Sequence, residues 1–332
     1  MRRSLRAAGT LAFTVLAIAY LVWKIDIGTT IDVLRDTNVA WLVFACSIMV
    51  ATVFPMAYRW QVLLAAQHIH DHLRWLSRAY FVSYSAGQIL PTSLGGDAIR
   101  VLETSRRHPG RTGPITAIVL LERGLGGAAT VVLGAIGFLL AVGRYDVGAY
   151  LWLEGAFVVG TIVLGFVFFA RSARPVLVHG RPLAARLKVE KPLRALYDGV
   201  HTYRSRPRLL GGVFVFTIAI QAVRVLAIWA TAKAAGVDQS PRLFYVMGPL
   251  FFLVLLVPFT LNGFAVREAF FVSFLGNVGV DPDTAFAAGF LFFLVTIVLA
   301  VPGLCILAWE SVRKTRPAPS PRPGESAHPG EP

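Results

Sequence analysis

The sequence predicts an all-α, polytopic integral membrane protein with six membrane spans and two re-entrant helical hairpins, arranged as an inverted-topology repeat. Three observations carry the prediction. The 332 residues are 56% hydrophobic and only 15% charged, with a mean hydropathy of +0.64, more apolar than a soluble core requires. A motif occurs twice: LPTSLGGDAIRV at 90–101 aligns without a gap on VPFTLNGFAVRE at 257–268, so Pro91, Leu94, Gly96, Ala98 and Arg100 match Pro258, Leu261, Gly263, Ala265 and Arg267. The lysines and arginines, finally, fall almost entirely on one side of any topology in which both termini lie in the cytoplasm.

The spans follow in order. A helix needs roughly 20 apolar residues to cross a hydrocarbon core, and runs of that kind occur near 7–23, 39–58, 113–143, 150–170, 209–235 and 284–309. The start MRRSLR resembles a signal peptide but precedes no clear small-residue cleavage site, so the first run reads as an uncleaved span. Two further apolar stretches, 78–108 and 242–280, are interrupted by the Pro and Gly of the repeated motif. With both termini inside, 24 basic residues are cytoplasmic and five are external (Lys24, Arg35, Arg144, Lys233 and Arg242), while Arg123, Arg224 and Arg267 lie within apolar sequence. That polarity requires 78–108 to begin and end inside and 242–280 to begin and end outside. Each half, about 1–145 and 146–312, then reads span, span, hairpin, span, with opposite orientations. Two shorter echoes agree: Ala57-Tyr58-Arg59 with Ala222-Val223-Arg224, and Pro114-x-Thr116-Ala117 with Pro282-x-Thr284-Ala285. Residues 313–332, rich in Pro, Gly, Ser and Glu, are expected to be a disordered cytoplasmic tail.

The hairpins predict a site. Non-helical backbone cannot face lipid, because each unpaired N–H or C=O costs several kcal/mol there, so the breaks at Pro91 and Pro258 must line protein or water. A helix restarting after each break turns its free N–H groups and positive dipole end into that space, an arrangement that binds phosphate or carboxylate. Ser93, Gly95 and Gly96 in one copy and Thr260, Asn262 and Gly263 in the other are the candidate binding positions at these helix starts. Arg100 and Arg267 follow one turn later, and Arg123 and Arg224 sit inside spans, where a charge costs about 2.5–3.5 kcal/mol. Asp97, Glu122, Glu268 and Gln221 are the candidate partners, expected to orient the arginines or to carry coupling protons. With Arg59 included, five arginines outnumber the three carboxylates, so an anionic ligand is expected. Arg59 itself reads equally as a residue that snorkels to the cytoplasmic interface.

With these residues the chain resembles the flippase-like transmembrane domain of lysylphosphatidylglycerol synthases. The resemblance covers about residues 5–312 and rests on LPTSLGGDAIR (90–100), Glu122-Arg123, Arg59-Trp60 and the late Pro258 to Glu268 motif. It implies a lipid translocase that moves aminoacylated phospholipids, polyprenyl-linked sugars or sterol-like lipids. It further implies a freestanding member without the synthase domain, working beside a lipid-synthesising enzyme, in a bacterial cytoplasmic membrane. On this reading the chain is not an enzyme and uses no cofactor. An integral-membrane transferase acting on a lipid-phosphate, or an ion-coupled carrier of a small anion, are the alternatives that the same residues allow.

Other features receive plainer readings. If Pro91 and Pro258 merely kinked ordinary spans, Arg100, Arg106 and Arg107 would lie outside, against the charge bias. Gly124, Gly126, Gly127 and Gly134 lack the spacing of a nucleotide loop and suggest close helix packing. His68, His70 and His72 around Asp71 lack zinc-pair spacing, and no metal site is expected. The basic loop 171–208, with ten Lys or Arg, fits anionic lipid headgroups, and no nucleic acid is implied. Cys46 and Cys305 lie in apolar spans, so no disulfide framework is expected.

Overall fold

The computed structural model describes residues 27–89, 95–141, 206–256 and 265–315, together with residues 150, 152, 155, 156, 159 and 203. The expected spans at 7–23 and 150–170, the basic loop 171–208 and the tail from 316 lie outside the described residues or almost wholly so. Among the described residues there are ten helices and no strand: α1 (Ile27–Arg35), α2 (Val39–Ala51), α3 (Val53–Ala66), α4 (Leu73–Ile89), α5 (Gly95–Arg107), α6 (Thr112–Ala141), α7 (Pro207–Ala234), α8 (Pro241–Leu256), α9 (Val266–Gly276) and α10 (Pro282–Thr315).

Four helical segments are long and apolar enough to cross a membrane: Val39–Ala66, Thr112–Leu140, Pro207–Ala234 and Pro282–Val312. The first joins α2 and α3 through Thr52, whose hydroxyl donates to the Met49 carbonyl at 2.7 Å. This helix continues eight residues beyond the expected end at 58, because the polar Arg59 is buried rather than placed at an interface. Local chemistry sets the ends. Asn38 caps α2 by accepting from Ala40 N and Trp41 N. Gly236, at φ +88°, turns the chain after α7 as Val237 N–H closes on the Ala232 carbonyl. Asp281 and Pro282 open α10, with the Asp281 carboxylate accepting from Asp283 N and Thr284 N.

The outer surface is apolar, as expected of helices facing lipid. Val39, Val43, Phe54, Val215, Leu139 and Leu304 are all exposed. Trp309, 62% exposed, stands beside Glu310 near the end of α10, where an amphipathic ring suits a membrane–water interface.

The two halves pack by exchange. Each contains a long helix, then two shorter helices, then another long helix, and residues 90–94 and 257–264, between the shorter helices, lie outside the described residues. The last helix of each half packs on the first broken helix of the other: α10 on α4, and α6 on α8. Glycine makes both contacts possible. A methyl group on Gly303 would overlap the Phe81 carbonyl, and one on Gly137 would overlap the Tyr245 carbonyl. The expected packing role of Gly126 and Gly127 is corrected here, since a side chain at either would meet open space. The helix–helix contact falls two to three turns further along α6, at the level of α8.

At the loop end of the bundle, Tyr203 donates to the Leu63 carbonyl at 2.6 Å. Burial pushes its hydroxyl pKa up to about 12, so it stays protonated and keeps donating across the physiological range.

Candidate functional site

The α4–α10 pair is antiparallel, and its contacts give a ruler for depth. Arg78 meets Glu310, the Phe81 carbonyl meets Gly303, Ser85 donates to the Ala300 carbonyl at 2.6 Å, and Gln88 donates to the Thr296 carbonyl at 3.4 Å. Along this seam the charged and hydroxyl side chains lie at successive levels.

At the first level Arg78 forms a fork. Its Nε and Nη2 donate to the two Glu310 oxygens at 2.7 Å each, and Nη1 donates to Glu103 of α5 at 3.0 Å. Three helices from both halves are thereby joined. The nearby Asp71, which the sequence places in an open histidine loop, is instead buried against Arg107 at 3.1 Å and His108 at 2.8 Å. Among the described residues no group of three or more His, Cys, Asp or Glu is arranged to hold a metal ion.

The second level is centred on Glu122 of α6. Arg59 Nε donates to one carboxylate oxygen at 3.2 Å and Arg100 Nη1 donates to the other at 2.8 Å, while the Tyr80 hydroxyl, 3.1 and 3.2 Å away, donates to the same group. Arg59 Nη1 also donates to Thr217 of α7 at 3.1 Å. The Arg100 guanidinium lies between the rings of Trp60 and Tyr80, 4.4 and 4.3 Å from their centroids, and cation–π attraction is strongest where water is excluded. All of these side chains are buried. Of the two readings left open for Arg59, snorkelling is therefore removed: its side chain is 7% exposed and anchored on Glu122. Arg100 bonds Asp97 as well, at 3.1 Å, and Asp97 pairs on its other oxygen with Arg123. Adjacent on one helix, Glu122 and Arg123 point to different partners, as the 100° step between neighbours requires. Arg123 is the most open member of the group, with its side chain 34% exposed.

Arg224 of α7 marks the third level. Its Nη1 donates to the Tyr84 hydroxyl at 3.2 Å and reaches Met56 Sδ at 3.7 Å. Gln221, expected to orient an arginine, instead donates to Thr130 of α6 at 3.1 Å. Gln221 is taken up by α6, whereas Arg224 meets α3 and α4.

Arg267 and Glu268 occupy a fourth level, both nearly fully buried. The Arg267 guanidinium lies 5.0 Å over the Phe293 ring, one turn along α10 from Thr296. Glu268 is the third residue of α9, and among the described residues neither of its buried carboxylate oxygens has a hydrogen-bond partner. From Tyr80 to Gln88 the helix rises about 12 Å, and Phe293 lies about 5 Å beyond Thr296. Arg100 and Arg267 are thus separated in depth by roughly 17 Å. The sequence expectation of one cage in which Arg100, Arg267, Arg123 and Arg224 hold a single phosphate is corrected to a ladder, because Arg100 and Arg123 share one level through Asp97 while Arg224 and Arg267 stand at two others.

Of the helix-start positions, Gly95 and Gly96 form the first turn of α5. Gly96 is pressed against Ser83 of α4, where a Cβ would overlap the Ser83 carbonyl and hydroxyl. Its glycine is thus required by helix approach. Pro91, Ser93, Pro258, Thr260, Asn262 and Gly263 lie outside the described residues. Tyr80, Tyr84, Thr217 and Met56 were missed by sequence reasoning. Tyr80 and Tyr84 had a signal, two hydroxyls four residues apart in an apolar helix, but Met56 and Thr217 had none.

Comparison with known proteins places this geometry in a family. Residues 7–303 match the family described as lysylphosphatidylglycerol synthase TM region. The chain is also 27% identical over 330 residues to the protein named Glycosyltransferase AglD of Haloferax volcanii; the match covers 87% of this chain and 52% of that protein. The chain therefore spans about half the length of the curated relative it matches. That relative corrects the expectation that the chain is not an enzyme, since its name is that of a transferase. Apolar spans, buried intramembrane charges and a match over most of its length together make this an integral membrane protein, and the chain belongs to the lysylphosphatidylglycerol synthase transmembrane-region family.

Proposed function

We propose that the chain is a translocase for an anionic, phosphate-bearing lipid in the cytoplasmic membrane, with both termini inside and with the two interrupted helices inserted as opposed re-entrant hairpins of an inverted repeat. One observation carries this reading: positive side chains stand at successive depths along a single seam between the halves, inside a bundle whose outside is apolar. Each buried charge costs about 2.5–3.5 kcal/mol to insert. The two upper carboxylates, Glu122 and Asp97, are set against three arginines, Arg59, Arg100 and Arg123. An arriving phosphate completes that balance, and a ladder of such levels lets it pass without entering hydrocarbon. The exchange packing of α10 on α4 and α6 on α8 supports the mechanism, because two halves that grip each other symmetrically can rock to open either face. Asp97, Glu122 and Glu268 orient the arginines as the halves move.

The test uses the full chain reconstituted in liposomes that contain a phospholipid with a fluorescent headgroup, with headgroup accessibility to an impermeant quencher as readout. Arg123→Gln is the informative variant because Arg123 is the least buried of the upper arginines. It is expected to slow movement of anionic lipid about tenfold, the equivalent of ~1.4 kcal/mol in the barrier. Parent-like movement in Arg123→Gln, or movement by the parent no faster than in empty liposomes, rejects the proposal.

A second reading is favoured by a specific observation, the transferase name of the relative. In it the same lipid-linked phosphate is a donor held by Arg100 and Arg123, and a carboxylate of the cluster serves as a base. Covalent product from a labelled lipid-phosphate sugar donor and an acceptor, made by the purified chain and lost in Asp97→Asn, supports it. Lipid movement in the absence of any acceptor supports the first reading.

A further inference from the structure

The polar lining of the seam comes from one hairpin. Helix α4 carries Ser77, Tyr80, Ser83, Tyr84, Ser85 and Gln88 along its apolar stretch, whereas α8, its counterpart in the second half, has only Arg242 and Tyr245 as polar side chains. Arg224 stands in the middle of this track, and its surroundings differ from those of Arg59, Arg100 and Arg123. Arg59 and Arg100 share Glu122, and Arg123 bonds Asp97. Arg224 instead meets a phenol oxygen and a thioether sulfur, both neutral, and the sulfur is a weak acceptor. Its Nε is buried with no acceptor in reach among the described residues. Among the described residues no carboxylate pairs with it.

Neither end of the helix explains this charge. Arg224 lies ten residues before Ala234, the last residue of α7, a rise of about 15 Å and too far for an arginine side chain to reach the interface. Aromatic contact does not explain it either, because among the described residues no ring covers its guanidinium as Trp60 and Tyr80 cover that of Arg100. A half-buried guanidinium with spare N–H donors, two weak neutral partners and a polar track above and below it has the chemistry of an anion site whose anion comes and goes.

We infer that Arg224 and Tyr84 form the central phosphate-binding station of this track. The guanidinium presents its spare N–H groups to two phosphate oxygens. The Tyr84 hydroxyl, which donates to Met56 Sδ at 3.3 Å, turns its O–H to a third. Met56 is the holding partner of the empty site, a soft acceptor that is easily displaced. The ligand class is a phosphate ester or free phosphate. The inference rests on the reading of the chain as a lipid-phosphate carrier and names, within it, the pair of side chains that grips the phosphate.

The test is binding of two probes, inorganic phosphate and dihexanoyl phosphatidic acid, to the full chain in detergent micelles, read by titration calorimetry. Arg224→Met is expected to weaken the phosphatidic acid at least about tenfold, and Tyr84→Phe about threefold. Met56→Leu, which removes only the displaced acceptor, is expected to bind at least as tightly as the parent. Arg224-dependent binding of both probes identifies recognition of the phosphate group itself, and Arg224-dependent binding of the lipid alone identifies a lipid headgroup site. Parent-like affinity for both probes in a folded Arg224→Met protein overturns the inference. Should that variant not fold, parent-like affinity in Tyr84→Phe overturns it equally. A parent that binds through Arg224 yet moves no lipid in liposomes keeps the station and rejects translocation. Arg224→Met that moves and binds lipid like the parent does the reverse.

Discussion

A single carboxylate, Glu122, holds the first half of the bundle to its neighbours, since it accepts from Arg59 of α3, Arg100 of α5 and Tyr80 of α4 at once. Removing one partner of a buried ion pair costs about 3–5 kcal/mol, because the other charge is left without compensation. Glu122→Gln keeps the shape and removes the charge, which leaves two adjacent arginines in a dry site. Its thermal unfolding midpoint in detergent should fall accordingly. Thr217→Val removes only a neutral acceptor of Arg59 and should cost about 1 kcal/mol. Equal effects from the two variants would show that charge is not what makes Glu122 matter. The contrast with Arg224 is one of partners: Arg59 and Arg100 are answered by a carboxylate, whereas Arg224 meets a phenol oxygen and a thioether sulfur.

Between elements, the decisive contacts are made by absence of a side chain. Helix α10 reaches α4 at Gly303, and α6 reaches α8 at Gly137, each with its Cα against a partner's backbone carbonyl. Small residues let membrane helices approach until van der Waals contact replaces the missing hydrophobic drive. Gly303→Val and Gly137→Val should each destabilise the bundle by about 1–3 kcal/mol through overpacking. Gly126→Ala, which meets open space, should stabilise α6 slightly, by up to about 1 kcal/mol. Thermal midpoints of the three variants check this ordering. If Gly126→Ala were as damaging as Gly137→Val, the packing account of α6 would fail. From sequence, the glycine-rich character of α6 is plain, but four glycines clustered at 124–134 draw attention away from the one at 137 that touches α8.

On the scale of the whole molecule, the proposed topology places the α3–α4 turn in the cytoplasm and the α7–α8 turn outside. Exposed positions in each turn test it: His70 in the first, Asp238 in the second. With Cys46 and Cys305 replaced by serine, an impermeant maleimide applied to intact cells should label Asp238→Cys and should reach His70→Cys only after permeabilisation. The opposite pattern would invert the membrane orientation and with it the assignment of Arg78, Glu103 and Glu310 to the cytoplasmic end of the seam. That fork closes one end of the ladder, since its three residues come from α4, α5 and α10 of opposite halves.

The amino-acid order alone determined that this chain lives in a membrane, that arginines stand inside its spans and which family it resembles. Hydropathy, helix-breaking residues and basic-residue bias act over stretches of about twenty residues or fewer, so they are readable without knowing what packs where. What only the tertiary structure decided is which charge answers which. Glu122 meets an arginine 63 positions away, and Arg78 meets a glutamate 232 positions away. Arg100 and Arg267, matched in the repeat, end at different depths. These outcomes depend on the register of one helix against another distant in the chain, and no local pattern records that register.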